Sequence, residues 1–156
     1  MKNTKQWFEQ AVPNPTAKSL EVQLGCHLEE VGEMMAAFIV EVESGAAFLK
    51  WEDCLQSVVE VATLLKQGQL TITNVDANEV LDGITDQQVT AIGIGHMLGM
   101  NTEGALREVD RSNFSKFGAD GQPIFDENGK VKKGPHYTKP NLAPFLPSPE
   151  RIKQVL

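Results

Sequence analysis

Leu28-Glu29-Glu30-Val31-Gly32-Glu33-Met34 sets three carboxylates into five residues of a segment with a helical apolar repeat. Leu24, Leu28, Val31, Met35, Phe38 and Val42 recur at helical spacing and define a core stripe. At about 100° per residue, Glu29, Glu30 and Glu33 project away from that stripe. Their neighbours on the far side are Val22, Cys26, Ala37 and Val40, not the lysines, arginines and glutamines of a solvated face. A helix that is apolar on two sides has to be covered on both, and an unpaired buried carboxylate costs several kcal/mol. The segment therefore demands neighbours on two sides and a cation for its acids.

A second acidic segment, Glu79-Val80-Leu81-Asp82-Gly83-Ile84-Thr85-Asp86, makes the same demand. With Asp82 as the reference direction, Asp86 lies about 40° away, Glu79 about 60° and His96 about −40°, on a face shared with Val89 and Gly93. Glu30-x-x-Glu33 and Asp82-x-x-x-Asp86 each set two carboxylates one turn apart, where they can hold one hard cation together. Four such oxygens from two antiparallel helices suit Mg²⁺ or Mn²⁺, which prefer carboxylate and water to imidazole or thiolate. No Glu-x-x-His pair accompanies them, which argues against a di-iron bundle site. Pairs of acids on helices are most often solvated; the apolar company of Glu30, Glu33 and Asp86 is what separates these from that case. Glu79 has a second reading, because Asp76-x-x-Glu79 matches a capping box.

In chain order, residues 1–13 read as a short amphipathic start carrying Trp7 and Phe8, and Asn14-Pro15 opens a helix that runs to about Ser44-Gly45. A second helix is expected from Ala46 to Gln67, stopped by Gly68, then a connector from Gln69 to Val75 with no partner strand. Asp76 caps a third helix that ends at Leu98-Gly99, with Val80, Ile84, Ala91 and Leu98 as its core face. Asn101-Thr102 starts a fourth that continues to Phe117-Gly118. Six of the eight prolines lie beyond Gly118. There, Asp126-Glu127-Asn128-Gly129 between Pro123-Ile124-Phe125 and Lys130-Val131 reads as a hairpin turn. The remainder is a proline-rich arm whose Leu142, Phe145 and Leu146 suit wrapping a surface. The expected architecture is all-α, a four- to five-helix bundle over residues 1–118. Residues 119–156, hairpin and irregular arm, would pack on the same domain or on a neighbouring subunit.

The net charge of −7 conceals an asymmetry: residues 1–106 hold 5 basic against 15 acidic side chains, residues 107–156 hold 9 against 6. An acidic body with a basic tail suits a cation-binding body and an anion-binding arm, and it does not suit duplex nucleic acid, which needs a broad basic face. Cys26 and Cys54 have no metal-ligand spacing and suggest no disulfide framework. With no signal-peptide pattern and no apolar run of membrane-spanning length, a cytoplasmic, membrane-free protein is expected. Helices with two apolar faces cannot all be covered within one thin chain, so a homodimer or homotetramer is expected.

Glu29-Glu30-x-x-Glu33 followed by Glu79-x-x-Asp82 resembles the signature of the all-α nucleotide pyrophosphohydrolases, the superfamily of MazG, the dimeric dUTPases, dCTP pyrophosphatases and phosphoribosyl-ATP pyrophosphatase. The tail Glu108-Val109-Asp110-Arg111-Ser112-Asn113-Phe114-Ser115-Lys116-Phe117-Gly118, with Asp120-Gly121-x-Pro123 and Lys133-Gly134-Pro135-x-Tyr137-x-Lys139-Pro140, is similar to its MazG-like branch; the resemblance covers roughly residues 15–142. Two departures stand out. The gap from Glu33 to Glu79 is longer than in MazG itself, and counting back from Gly99-Met100-Asn101 puts Asp86 where the family's terminal Asp falls. The second pair is therefore Glu79 with Asp82 or Asp82 with Asp86, and the latter register is carried forward. The resemblance implies Mg²⁺-dependent (or Mn²⁺-dependent) hydrolysis of a nucleoside triphosphate between the α- and β-phosphates, to the monophosphate and pyrophosphate. It implies metal held by Glu30, Glu33, Asp82 and Asp86, with one of these carboxylates or Glu29 orienting the attacking water. Arg111 and Lys116 would offset phosphate charge, Asn113 would contact the nucleotide, and Tyr137 and Lys139 would close over it. The alternatives are a phosphoribosyl-ATP pyrophosphatase and a non-catalytic helical protein that binds nucleotide or a partner.

Overall fold

A computed structural model describes residues 2–41, 44–126 and 131–156. The chain is all-helical among these residues and divides into two compact units, Asn14–Val75 and the combination of Met1–Pro13 with Asp76–Leu156.

The Asn14–Val75 unit is an antiparallel pair, α2 (Ala17–Ala36) and α3 (Gly45–Gln67). Helix α2 starts two residues later than the Asn-Pro signal suggests, because Thr16 makes the better cap. Its hydroxyl accepts from the Ser19 N–H (3.1 Å) and the Ser19 hydroxyl accepts from the Thr16 N–H (2.6 Å), a reciprocal capping box. The helix also ends earlier than expected, at Ala36, ahead of Ile39-Val40, two successive β-branched residues that lose rotamer freedom in a helix. Ile39 is fully exposed, and Ser44 then caps α3 through Ala47 N–H.

The face of α2 that meets α3 overlaps the expected stripe only in part, with Leu28, Val31 and Met35 half-buried. Gly25 and Gly32 are buried, and Leu24 and Phe38 are exposed. A Cβ on Gly25 would lie 2.7 Å from the Ala62 carbonyl oxygen, and one on Gly32 would lie 3.5 Å from the Val58 and Val59 methyls. Glycines at these two positions let the helices approach more closely than leucines could, and that rotates α2 so that Glu21, Gly25, Leu28 and Gly32 face inward. Buried Glu21 accepts the Ile72 N–H (3.1 Å), tying the connector back to α2. At the far end of α3, Gly68 adopts φ 73°, and Lys18 donates to the Lys66 carbonyl (3.0 Å), one of the carbonyls the helix end leaves without an intrahelical partner.

The other unit holds α1 (Lys2–Ala11), α4 (Ala77–Leu98), α5 (Thr102–Phe114), a 3-10 turn over Ala143–Phe145, and α6 (Pro149–Val155). Helix α1 lies on α5: Trp7 stacks on buried Phe117 at 6.3 Å, its indole N–H donates to the Asn113 carbonyl (3.1 Å), and Thr4 donates to the buried carboxylate of Asp110 (2.8 Å). Helices α4 and α5 turn at Gly99 (φ 75°), where a Cβ on Gly95 would clash with the Thr102 methyl. The expected core face of α4 is covered only near this corner; Val80 and Ile84 are about half exposed, and Leu81, Val89, Ile92 and Met97 more so.

The expected boundary at Gly118 marks a change of secondary structure inside this unit. Of the hairpin, the described residues show one antiparallel bridge, Phe125 with Val131, and a bond from Lys132 N–H to the Ile124 carbonyl (2.7 Å); the proposed turn at 127–129 lies outside the described residues. The arm then runs along α5, seats Phe145 against Gly104, and ends in α6, whose Arg151 donates to the Met97 carbonyl (3.3 Å). Helix α6 was not expected, although Ser148-Pro149 is a cap followed by proline at the first helical position. No helix among the described residues is long and apolar enough to cross a membrane.

Candidate functional site

Glu30 and Glu33 are both exposed on α2. Measured around the helix from Gly32, which faces α3, they lie about 160° and 100° away, so the pair looks away from the packed side. Glu29 differs: it is half-buried and accepts from the Lys66 ammonium of α3 at 2.7 Å. That contact separates it from the other two acids and gives it a partner in its own unit.

Asp82 and Asp86 are exposed on α4, one turn apart and about 140° and 180° around the helix from Gly95, the buried contact with the start of α5. Glu79 is exposed in the first turn. The Asp76 carboxylate accepts from the Asn78 and Glu79 N–H groups (3.0 and 3.2 Å), but the return bond from the Glu79 side chain is absent among the described residues. Half of the capping box forms, and the Glu79 carboxylate is not engaged by it.

The two acidic pairs thus belong to different units. Within either unit, among the described residues, no three Asp, Glu, His or Cys side chains are grouped as a metal ion requires. The chemistry of the donors does fit Mg²⁺ or Mn²⁺, since both pairs are carboxylates on adjacent turns.

The residues expected to meet substrate are gathered along one seam, the C-terminal half of α5 and the arm segment 134–141. Lys116 donates to the Asn113 side-chain oxygen (2.7 Å) and stands 5.6 Å from the Trp7 ring centroid, so α1 underlies both. Tyr137 is half-buried with the Lys133 ammonium 4.9 Å from its ring centroid, and Lys139 is exposed. Arg111 is placed differently from the expectation of a phosphate ligand. Four of its five N–H groups donate within the chain: two to the Glu108 carboxylate (2.8 Å each), one to the Thr138 hydroxyl and one to the Lys139 carbonyl (3.1 Å).

The hydrogen bond from Arg111, reinforced by the Asn141 N–H, holds the Glu108 carboxyl down at about 2. Because the folded value is depressed, this contribution is present above the ordinary carboxylate range and is lost as pH falls towards 2. The opposite shift follows for Arg111, raised chiefly by the Glu108 bond. Sequence reasoning gave no role to Glu108 or to the buried Asp110 and Ser112, although all three stand in the tail motif, and it missed Thr138. Glu108-x-x-Arg111 is a visible ion-pair spacing, whereas nothing local marks Thr138 as its partner.

No family model, curated protein or solved structure matches this chain.

Proposed function

We propose that this chain is a cytoplasmic, Mg²⁺-dependent nucleoside triphosphate pyrophosphohydrolase of the all-α, MazG-like kind, which cleaves between the α- and β-phosphates. One observation carries the reading: α2 and α4 each bear two exposed carboxylates one turn apart, on helix sides turned away from their packed glycines. Exposed Met34, Leu81 and Val89 on these helices distinguish them from ordinary solvated ones. Glu30 with Glu33 on α2, and Asp82 with Asp86 on α4, each offer a pair of hard oxygen ligands, and Mg²⁺ held by such a pair would neutralise phosphate charge and acidify a bound water. Glu30, Glu33 or Asp86 would accept the proton of the attacking water. Asn113, Lys116, Tyr137 and Lys139 contact the nucleotide.

The test is pyrophosphate release from a panel of nucleoside triphosphates and phosphoribosyl-ATP, with and without Mg²⁺. Release from at least one, abolished by chelation, is expected; no release from any at high enzyme concentration sinks the enzyme reading and leaves a binding protein.

The same helix faces support assembly with a second copy of this chain. From Gln87 to Leu98, α4 carries no Asp, Glu, Lys or Arg, while Val89, Ile92 and Met97 are each more than half exposed. An uncharged apolar face suits a self-complementary contact, whereas an acidic or basic partner would call for opposite charge there. Light scattering is expected to show a dimer or tetramer, which Val89→Glu with Ile92→Lys reduces to monomer. A monomeric wild-type chain overturns this.

A further inference from the structure

Among the described residues no strand ladder attaches the arm to α5, and the attachment converges on one residue. Every polar group of Thr138 is engaged by α5 or its cap. Its N–H donates to the Ser115 hydroxyl oxygen (3.0 Å), its carbonyl accepts from the Ser112 hydroxyl (2.9 Å), and its own hydroxyl accepts from Arg111. Ser112 is buried, so its bond is sheltered from competing water. On one side of Thr138, the Lys139 carbonyl accepts from Arg111, and the Asn141 N–H donates to Glu108 (2.8 Å). On the other, the Gly134 N–H donates to the Lys116 carbonyl (2.8 Å), at an approach so close that a Cβ on Gly134 would sit 2.6 Å from that oxygen.

These bonds share members. Glu108 holds both Arg111 and Asn141, Arg111 holds Thr138 and Lys139, and Ser115 also donates to the Ser112 carbonyl (2.7 Å). A network of this kind opens as a unit, because releasing one member leaves a charged or sheltered partner unsatisfied.

We infer that Glu108, Arg111, Ser112, Ser115 and Thr138 form a lock that fixes the arm on α5, and that Arg111 is a positioning residue for Tyr137 and Lys139 rather than a phosphate ligand. The positioning role rests on the function proposed above; the lock itself does not. Tyr137 and Lys139 flank Thr138 directly, so closing the lock sets where both present their side chains.

Amide hydrogen exchange on the full chain reads the lock. Ser115→Ala removes the acceptor of the Thr138 N–H and the Ser115 bonds to the Thr138 and Ser112 carbonyls but no bond of Asn141, yet exchange is expected to quicken by about tenfold or more at both Thr138 and Asn141, because they open together. Glu108→Gln is expected to do the same from the other end. Thr138→Val keeps the backbone and loses only the acceptor for Arg111, and it should also release Asn141. If Ser115→Ala affects Thr138 alone and Glu108→Gln affects Asn141 alone, the bonds are independent and there is no lock. In turnover, Thr138→Val is expected to raise KM about tenfold with kcat nearly unchanged. Normal KM with released amides overturns the positioning role, while absence of any turnover in the wild-type chain overturns the proposed function and leaves the exchange result to decide the lock.

Discussion

Asp82→Asn is expected to lower Mg²⁺-dependent pyrophosphate release by on the order of a hundredfold or more, while leaving the melting temperature within a degree or two of wild type. The size follows from its place in both readings of the second acidic pair, Glu79 with Asp82 and Asp82 with Asp86. Replacing the carboxylate by an amide keeps the shape and removes the charge that Mg²⁺ requires. The stability is spared because the Asp82 side chain is exposed and supports no packing. The same assay decides the register: Asp86→Asn should cost as much as Asp82→Asn, and Glu79→Gln far less. Full activity in Asp86→Asn with loss in Glu79→Gln reverses that assignment, and full activity in Asp82→Asn rejects the carboxylate site altogether.

Gly25→Ala is expected to destabilise the Asn14–Val75 unit by about 1–3 kcal/mol, the usual range for forcing a methyl into a filled contact. The new Cβ would stand 2.7 Å from the Ala62 carbonyl oxygen and 2.8 Å from Lys66 Cγ. The lysine stem can swing aside. The carbonyl belongs to the α3 backbone and cannot move without displacing the helix. Thermal unfolding followed by circular dichroism should show a midpoint several degrees lower. Gly83→Ala, in the middle of α4 with nothing within 4 Å of the added Cβ, is the control and should be neutral or slightly stabilising. Equal midpoints for Gly25→Ala and wild type would show that α2 and α3 do not approach as closely as described.

The two variants bear on different kinds of legibility. Helices α3, α4 and α5 could be placed from Gly68, Asp76, Gly99 and Asn101, because a cap satisfies backbone groups three or four residues away. The same local logic holds at Ser148-Pro149, where the signal for α6 stood unused inside a tract that reads as irregular. Periodicity was less informative for α2. Its leucine stripe suggested the buried side, but a contact between helices is decided by how near the backbones come, and Gly25 and Gly32 add nothing to an apolar count. The acidic pairs were legible as chemistry, since carboxylate type and one-turn spacing are local properties.

What the sequence determined by itself is therefore the helical class, most helix ends and the positions of the paired carboxylates, all set by interactions within a turn or two of chain. The tertiary structure decided which side of α2 is buried, that Glu29 answers to Lys66, and that Arg111, paired with its helix neighbour Glu108, is also spent on Thr138 and Lys139. Those outcomes depend on side chains about 27 to 37 residues apart in the chain, where no spacing rule reaches and only the approach of one segment to another selects the partner.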